Sequence, residues 1–388
     1  MHLYVHVPFC ARRCSYCDFA IAVRREVPAG DFVAAVLAEW AAWQDEAVWT
    51  GEPLATVYFG GGTPSRLPPA AIAELLDRFA ADRGIAADAE VTLEANPDDV
   101  TPEAARAWRG AGVNRVSLGA QSFHPAVLAW MHRSHDAAQV ARAVDALRQA
   151  GLEEISLDLI YGVPESLGRS WDDDLARVLA LDPPHLSCYA LTVEDRTPLA
   201  RWIARGIAEP APEERQAAEF LRLHEVVIAS GREHYEVSNF ARPGSRARHN
   251  AAYWRRAPFI GLGPSAHSGF TRERRWNLRE WEAYRRAALG GHPVEAGRER
   301  LDDAAVRLEE LYLGLRTTAG VPAGGVPPAI REVWLREGWA IPTGEAATGD
   351  SWVGTGSRLV LTPRGWLLLD SLVAQAAAAA AAAVSAGH

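Results

Sequence analysis

The sequence predicts an α/β fold: a partial barrel of six β-strand and α-helix units, followed by a small, mostly helical C-terminal domain. Short apolar, β-branched runs alternate with stretches of helical spacing from the N-terminus to about residue 230. Repeated βα units imply a parallel sheet with right-handed crossovers, and six units rather than eight leave the barrel open. The pattern turns helical again after about residue 300, which predicts the separate C-terminal domain.

The predicted elements follow one another in chain order. The first strand covers residues 3–7 and ends at Pro8, and the first helix, 31–49, has Asp31 as its N-cap. Gly112 and Gly151 end two later helices. The other strands are predicted at 55–59, 89–94, 115–119, 154–159 and 185–190, and the other helices at 69–83, 102–111, 137–150, 171–181 and 213–230.

The chain after residue 234 is less regular. Residues 235–300, rich in Gly, Pro, Arg and aromatic residues, are predicted to form an irregular extension of the barrel. The helical pattern of 301–318 and a strand and turn at 359–365 define the C-terminal domain. An alanine octet at 376–383 extends the last helix and then frays. The predicted divisions are therefore 1–234, 235–300, 301–370 and 371–388.

Composition excludes several classes of function. A chain of 388 residues that is 48% hydrophobic is too long for one small core. Its net charge is −9 and its arginines form no basic stripe, so nucleic acid is not an expected partner. We expect neither a signal peptide nor a membrane span. Clustered free thiols indicate the reducing cytoplasm.

Three cysteines lie within eight residues just after the first predicted strand. Cys10, Cys14 and Cys17 have the spacing C-x3-C-x2-C, which places three thiolates on one short loop. A [4Fe–4S] cluster held by three cysteines leaves one iron without a protein ligand. The amino and carboxylate groups of S-adenosylmethionine (SAM) can fill that position, and electron transfer from the cluster can then cleave the sulfonium.

A zinc site and a redox disulfide are the alternatives for this loop. Zinc requires a fourth ligand, but the remaining cysteine, Cys188, is alone in an apolar strand where a buried thiol is expected. A disulfide leaves the third thiol unexplained. The loop follows the first strand and so lies at the C-terminal mouth of a parallel barrel, which favours the cluster.

A glycine run and several polar residues also fall at strand ends. Residues 60–64, G-G-G-T-P, follow the second strand, where glycines let backbone amides approach a ligand closely; a plain turn is the alternative. Later strands end near Glu94, Gln121, Arg133 and Asp158. Polar groups that converge on one barrel mouth indicate a ligand cage.

The segment H-N-x-x-Y-W, residues 249–254, lies in a basic and aromatic region. The imidazole of His249 can ligate heme iron, the aromatic residues can cover the macrocycle, and nearby arginines can meet its propionates. Those arginines are Arg246, Arg248, Arg255 and Arg256. The alternative is a packed loop that braces the open edge of the barrel, and the residue types alone favour it.

The cysteine loop resembles that of the radical SAM superfamily. The strings Y-V-H-V-P-F-C at 4–10 and Y-C-D-F at 16–19 resemble one branch, the oxygen-independent coproporphyrinogen III oxidase-like proteins, and the likeness continues to about residue 370. It implies a radical SAM (β/α)6 barrel and a C-terminal domain of winged-helix type. H-N-x-x-Y-W resembles the signature of the heme chaperones within that branch, which implies that His249 contacts heme. Histidines elsewhere, such as His267 or His224, are the alternative heme ligands.

The resemblance also implies contacts residue by residue. Tyr4, Gly61 and Glu94 match positions that contact the SAM bound at the cluster. Positions that contact a second molecule in the coproporphyrinogen enzyme are matched by Tyr16, Gly62, Thr63, Gln121, Arg133, Asp158 and Ala190. The alternative for this protein is a single cofactor, with the second space given to a porphyrin or left open.

Two functions follow from the resemblance. One is a heme chaperone that binds heme, a [4Fe–4S] cluster and SAM, uses an electron donor, and delivers heme to acceptor proteins such as respiratory enzymes. The other is a radical SAM coproporphyrinogen III dehydrogenase, which converts propionates to vinyls in porphyrin biosynthesis. That enzyme carries another cysteine where this chain has Phe19, and a long extension before the first strand, whereas Tyr4 is almost at the start here. Radical chemistry on heme itself is a third possibility. Both departures and the H-N-x-x-Y-W segment favour the chaperone.

Overall fold

The computed structural model describes residues 1–44, 46, 48–49, 51–344 and 357–386. Its strands are β1 (His2–Val7), β2 (Phe9–Cys10), β3 (Ala22–Val23), β4 (Leu54–Gly61), β5 (Ile85–Ala95), β6 (Arg115–Gln121), β7 (Glu154–Tyr161), β8 (His185–Ala190), β9 (Glu233–Glu236), β10 (Asn239–Ala241), β11 (Phe259–Leu262), β12 (His267–Gly269), β13 (Glu273–Asn277), β14 (Glu295–Arg300), β15 (Val321–Pro322), β16 (Ala340–Thr343) and β17 (Arg358–Leu361).

Helices lie between most of these strands. They are α1 (Ala29–Trp43), α2 (Pro69–Arg83), α3 (Pro102–Gly110), α4 (Pro125–Trp130), α5 (Ala137–Gln149), α6 (Trp171–Ala180), α7 (Pro198–Ala204), α8 (Glu213–Ala229), α9 (Arg248–Trp254), α10 (Trp281–Leu289), α11 (Asp303–Leu315), α12 (Pro328–Arg336), α13 (Pro363–Trp366) and α14 (Leu369–Ala386). Short 3₁₀-helices lie at Pro64–Arg66, Pro97–Asp99, Glu165–Leu167 and Ala323–Gly325.

Six parallel strands form the predicted barrel wall. Strands β1, β4, β5, β6, β7 and β8 lie side by side in that order, each parallel to the next. Helices separate consecutive strands along the chain, as repeated βα units require. The predicted α/β fold with a six-unit barrel is therefore confirmed. The carboxyl ends of these strands share one mouth, which brings the cysteine loop after β1 next to the glycine run that ends β4.

Most predicted bounds differ from the structure by only a few residues. Gly112 and Gly151 follow their helices with φ of 105° and 77°, a backbone conformation that favours glycine. One cap is wrong: α1 begins at Ala29 after Pro28, and no side chain caps it. Asp31 lies in the first turn instead, where a carboxylate is favourable near the positive end of the helix dipole. The same helix ends at Trp43 rather than at residue 49.

The segment from residue 233 onward adds strands to both edges of the barrel sheet. Strands β10 and β9 continue the sheet beyond β8 and are antiparallel. On the other side β11 runs parallel to β1, and β12, β13 and β14 follow as an antiparallel meander. The predicted irregular extension is thus more regular than its composition indicates. It widens one side of the barrel mouth with the strands β11 to β13.

The C-terminal part contains α11 to α14 and a three-stranded antiparallel sheet in the order β15, β17, β16. Trp334 of α12 and Trp366 of α13 are buried in it, and the Trp366 indole donates to the carbonyl of Leu315 at 2.9 Å. The winged-helix type and the domain boundaries stay predictions. The alanine octet belongs to α14, and the residues beyond 386 lie outside the described part of the chain. Within the described residues, every helix is too short or too polar to span a lipid bilayer.

Candidate functional site

The cysteine loop is held against the barrel mouth by backbone hydrogen bonds. Cys10 ends β2, which pairs with β3 across the loop. The amide of Ser15 donates to the carbonyl of Met131, and the amide of Leu199 donates to the carbonyl of Ser15. Cys10 is buried, Cys14 and Cys17 are half-buried, and all are free thiols. The fold therefore presents three unpaired thiols from one anchored loop.

Two side chains donate hydrogen bonds to sulfurs of this loop. The Thr63 hydroxyl donates to Cys10 Sγ at 3.4 Å, and Arg133 Nη1 donates to Cys14 Sγ at 3.7 Å. Donors of this kind stabilise thiolates and cluster sulfurs. Among the described residues, no three His, Cys, Asp or Glu side chains lie close enough together for a single metal ion. In a four-iron cluster each cysteine binds its own iron, and the donor set of three thiols with two supporting donors fits that group.

The glycine run is packed against the end of β1. Gly61 has φ of 116°, and a Cβ there would lie 2.6 Å from the His6 ring. A Cβ at Gly62 would lie 2.7 Å from the backbone of Pro8. Glycine is therefore required here by the fold itself. A bulky substitution at Gly61 would disturb His6 before it tested any ligand contact.

Glu94 is fixed beside this run. Its carboxylate accepts hydrogen bonds from the Tyr58 hydroxyl at 2.8 Å and from the Gly61 amide at 2.9 Å. Burial raises the pKa of Glu94. The Tyr4 ring stacks on Tyr58 with 6.0 Å between centroids, and its hydroxyl lies 3.0 Å from His6 Nδ1. Tyr4, Gly61 and Glu94 together line a cavity of about 610 Å³, so the structure brings these three predicted residues together.

None of the described residues that line the cavity belongs to the second predicted set, although Gly62 directly follows Gly61, which does line it. The set comprises Tyr16, Gly62, Thr63, Gln121, Arg133, Asp158 and Ala190. Arg133 Nη2 donates to Asn96 Oδ1 at 2.5 Å. Asp158 accepts hydrogen bonds from two serine hydroxyls, and burial raises its pKa to about 7. These polar groups brace the barrel mouth, and their contact with a second ligand stays a prediction.

His249 lies on α9, where its ring packs against Tyr4 of β1 and Tyr58 of β4, and it does not line the cavity. Its side chain is buried, with the residue only 1% exposed, and its backbone amide donates to Glu90 Oε1 at 2.9 Å. Nδ1 lies 2.7 Å from the Thr56 hydroxyl, and Nε2 lies 2.8 Å from the Tyr253 hydroxyl. Burial lowers the pKa of His249 to about 3, which keeps the ring neutral. Since both ring nitrogens are occupied, iron could reach neither without breaking this network, and the geometry favours the bracing interpretation.

The arginines near His249 in sequence are also largely occupied. Arg246 pairs with Glu233, Arg248 with Asp88, and Arg256 with Glu309 and Glu310. Of the segment 249–254, Tyr253 and Trp254 reach the cavity. The segment therefore contributes aromatic surface to the site and does not present the expected cluster of free cations.

Comparison with known proteins identifies the family. The radical SAM superfamily model matches residues 4–176. The heme chaperone HemW of Mycobacterium tuberculosis (strain H37Rv) is 38% identical over 377 residues, which cover 96% of this chain and 93% of the relative. HemW of Synechocystis is 38% identical over 84% of this chain and 80% of its own length.

The chain belongs to the HemW family.

A solved structure supports the fold of this HemW-family protein. Coproporphyrinogen III oxidase (HemN) from Escherichia coli matches with a TM-score of 0.77, covering 96% of this chain and 88% of its own. The two sequences are 20% identical, so this likeness shows the architecture alone.

Sequence patterns do not predict two charged residues that line the cavity in this HemW-family protein, Arg274 and Arg279. Arg274 belongs to β13, and Arg279 follows that strand. Both reach the cavity because β11 pairs with β1 and carries β12 and β13 to the barrel mouth. Pairing between segments some 250 residues apart leaves no local signal that could have placed them.

Proposed function

We propose that this protein is a cytoplasmic heme chaperone that holds a [4Fe–4S] cluster, binds SAM and heme, and delivers heme to acceptor proteins such as respiratory enzymes. The observation that carries the proposal is the cavity of about 610 Å³, which extends from Gly61 and Glu94 to Phe19. Ligand pockets in proteins typically have volumes of about 300–1,000 Å³, and this cavity falls within that range. Phe19 is 59% exposed, so one end of the cavity meets solvent, where a cargo can enter and leave. The identity of 33–38% to HemW proteins of several bacteria supports the same function.

Cys10, Cys14 and Cys17 would hold the cluster, and Tyr4, Gly61 and Glu94 would contact SAM beside it. When bound and reduced by an electron donor, the cluster supplies the electron that cleaves the sulfonium of SAM. Glu94 is oriented by Tyr58 and Gly61, and its remaining lone pairs can accept from an amino group. Phe19 stands where the coproporphyrinogen enzyme has a cysteine, so this chain lacks that thiol for propionate chemistry.

Glu94 provides a direct test of the SAM pocket. We expect Glu94→Gln to weaken SAM binding about tenfold or more while the cluster still assembles, because a hydrogen bond to a charged group contributes about 1.5–3 kcal/mol. Equilibrium binding of SAM to the reconstituted protein measures this. Glu90→Gln is the matched control, since Glu90 is a buried acid on the same strand that contacts α9 and does not line the cavity. Equal SAM affinity in Glu94→Gln and wild type would contradict the assignment of this pocket to SAM.

An anaerobic experiment separates the chaperone from the dehydrogenase. The cluster is reconstituted, SAM and reductant are added, and coproporphyrinogen III or heme is supplied in separate reactions. We expect heme to bind and no protoporphyrinogen to form. Protoporphyrinogen formation at rates typical of enzymes, about 1 s⁻¹ or faster, would contradict the chaperone proposal.

A further inference from the structure

The outer end of the large cavity contains groups that suit an iron macrocycle. We propose, resting on the proposed function, that heme binds at this outer end with His267 as the axial ligand of iron and Arg279 as the partner of a heme carboxylate. His267 begins β12 and Arg279 follows β13, so both come from the strands that extend the sheet beyond β1. Both residues line the cavity and both are exposed.

His267 is the accessible imidazole at this cavity. The other histidine that lines it, His6, has Nδ1 at 3.0 Å from the Tyr4 hydroxyl and Nε2 at 2.9 Å from the carbonyl of Ala20. Both ring nitrogens of His249 are occupied, by Thr56 of β4 and by Tyr253 of α9. His267 instead stacks its ring on Trp276, with centroids 6.1 Å apart, and within the described residues neither of its nitrogens has a hydrogen-bond partner. A ligand to heme iron needs one free imidazole nitrogen, which His267 offers.

Arg279 differs from the other arginines that line the cavity in its ion pairing. Three arginines line the cavity, and two of them, Arg256 and Arg274, form ion pairs with Glu309. Arg279 donates to the backbone carbonyl of Asp18 at 2.7 Å and, among the described residues, has no carboxylate partner. Its remaining N–H groups can therefore meet a propionate in the bidentate geometry that guanidinium groups favour.

Aromatic side chains supply the walls for a flat ligand. Phe259 packs edge-on against Tyr253 with 4.6 Å between centroids, and the Arg316 guanidinium lies 4.4 Å from the centre of the Trp254 ring. Tyr253, Trp254 and Phe259 all line the cavity. His249 contributes indirectly, because its Nε2 holds the Tyr253 hydroxyl. It is a positioning residue, one helical turn before the tyrosine it orients.

The experiment is a titration of hemin into the full-length protein, followed by the Soret band and the spin state of the iron. We expect His267→Ala to shift the Soret band and to weaken hemin binding about tenfold or more, since loss of even an indirect metal contact costs about 10–100-fold. His267→Met should restore affinity with a different band, because methionine is also an axial ligand of heme. His292→Ala, at an exposed histidine that does not line the cavity, should match wild type.

The other variants complete the test. Arg279→Ala should weaken hemin binding with the wild-type Soret position, Arg279→Lys should recover part of the affinity, and Arg286→Ala should have no effect. His249→Ala should lower thermal stability and retain the spectrum of the ligated iron. A wild-type spectrum and affinity in His267→Ala, or loss of the ligated spectrum in a folded His249→Ala protein, would overturn the proposed ligand. If wild type itself does not bind hemin, the proposed function fails as well.

Discussion

Replacing Cys10, Cys14 or Cys17 with serine will abolish the [4Fe–4S] cluster, whereas Cys188→Ser will leave it intact. The three loop cysteines are unpaired, and two of them, Cys10 and Cys14, accept hydrogen bonds from Thr63 and Arg133. Cys188, in contrast, is buried in β8. Iron–sulfur clusters are held by thiolates, and serine does not replace one of only three ligands without loss. Iron and sulfide content, the visible absorbance of the oxidised cluster and the electron spin resonance of the reduced cluster measure the effect.

Cys188→Ser is the matched control for the loss of one thiol. Thermal unfolding of each protein before reconstitution shows whether the loop substitutions leave the barrel folded. If Cys188→Ser lost the cluster, or if any one of the loop variants retained a full complement of iron, the assignment of three protein ligands and one open iron would be wrong.

Glu39→Ala will destabilise the protein by about 3 kcal/mol or more, since each buried donor left without a partner costs about 1–3 kcal/mol. Glu39 of α1 is buried and accepts hydrogen bonds from the Gly263 amide at 2.8 Å, Asn277 Nδ2 at 2.6 Å and the Tyr284 hydroxyl at 2.6 Å. Gly263 follows β11 and Asn277 ends β13. Glu39 thus fastens the strands that form the outer cavity wall to the barrel helix.

The effect of Glu39→Ala will depend on pH. Burial raises the pKa of Glu39 to about 7, above its unfolded value of about 4.5, so between these pH values the folded state binds more protons than the unfolded state. The stability that this carboxyl contributes is therefore largest below about pH 4.5 and declines as pH rises through 7. We expect the difference between wild type and Glu39→Ala to be larger at pH 5 than at pH 8.

Urea unfolding at the two pH values measures both effects. Glu74→Ala, an exposed acid of α2, is the control and should change the free energy of unfolding by less than about 0.5 kcal/mol. A Glu39→Ala protein as stable as the Glu74→Ala protein would show that the three donors find other partners. A pH-independent difference would show that Glu39 stays ionised throughout.

The barrel could be predicted because its signals are local. Apolar strand runs and helical spacing recur within windows of about ten residues, so α2 and β8 have the predicted bounds, Pro69–Arg83 and His185–Ala190. Strands β9 to β12 contain only three or four residues each, too few for alternation to be visible. The pairing of β11 with β1 depends on the whole fold, and so does the shape of the cavity that this pairing creates.

The residues of the site can also be separated into those with a local sequence signal and those whose environment depends on the whole fold. Tyr4, Gly61 and Glu94 come together because they lie on β1, β4 and β5, which are neighbouring strands of the barrel. His249 shows what sequence cannot supply: its environment depends on Thr56 of β4 and on Tyr253, which faces it only because residues 248–254 form a helix. A histidine among arginines and aromatic residues resembles a heme ligand in sequence, yet in the structure the ring is enclosed by the barrel wall.

Transfer of heme tests the central claim most directly. Heme-loaded protein with a reconstituted cluster is mixed with increasing concentrations of the heme-free form of a respiratory heme enzyme, and the Soret band of the acceptor is followed over time. In parallel, apomyoglobin serves as a passive heme sink. We predict a transfer rate that rises with the concentration of the respiratory acceptor and exceeds the rate to apomyoglobin, because a chaperone releases its cargo in a complex. Equal rates that do not depend on acceptor concentration would show only spontaneous heme dissociation and would contradict the account.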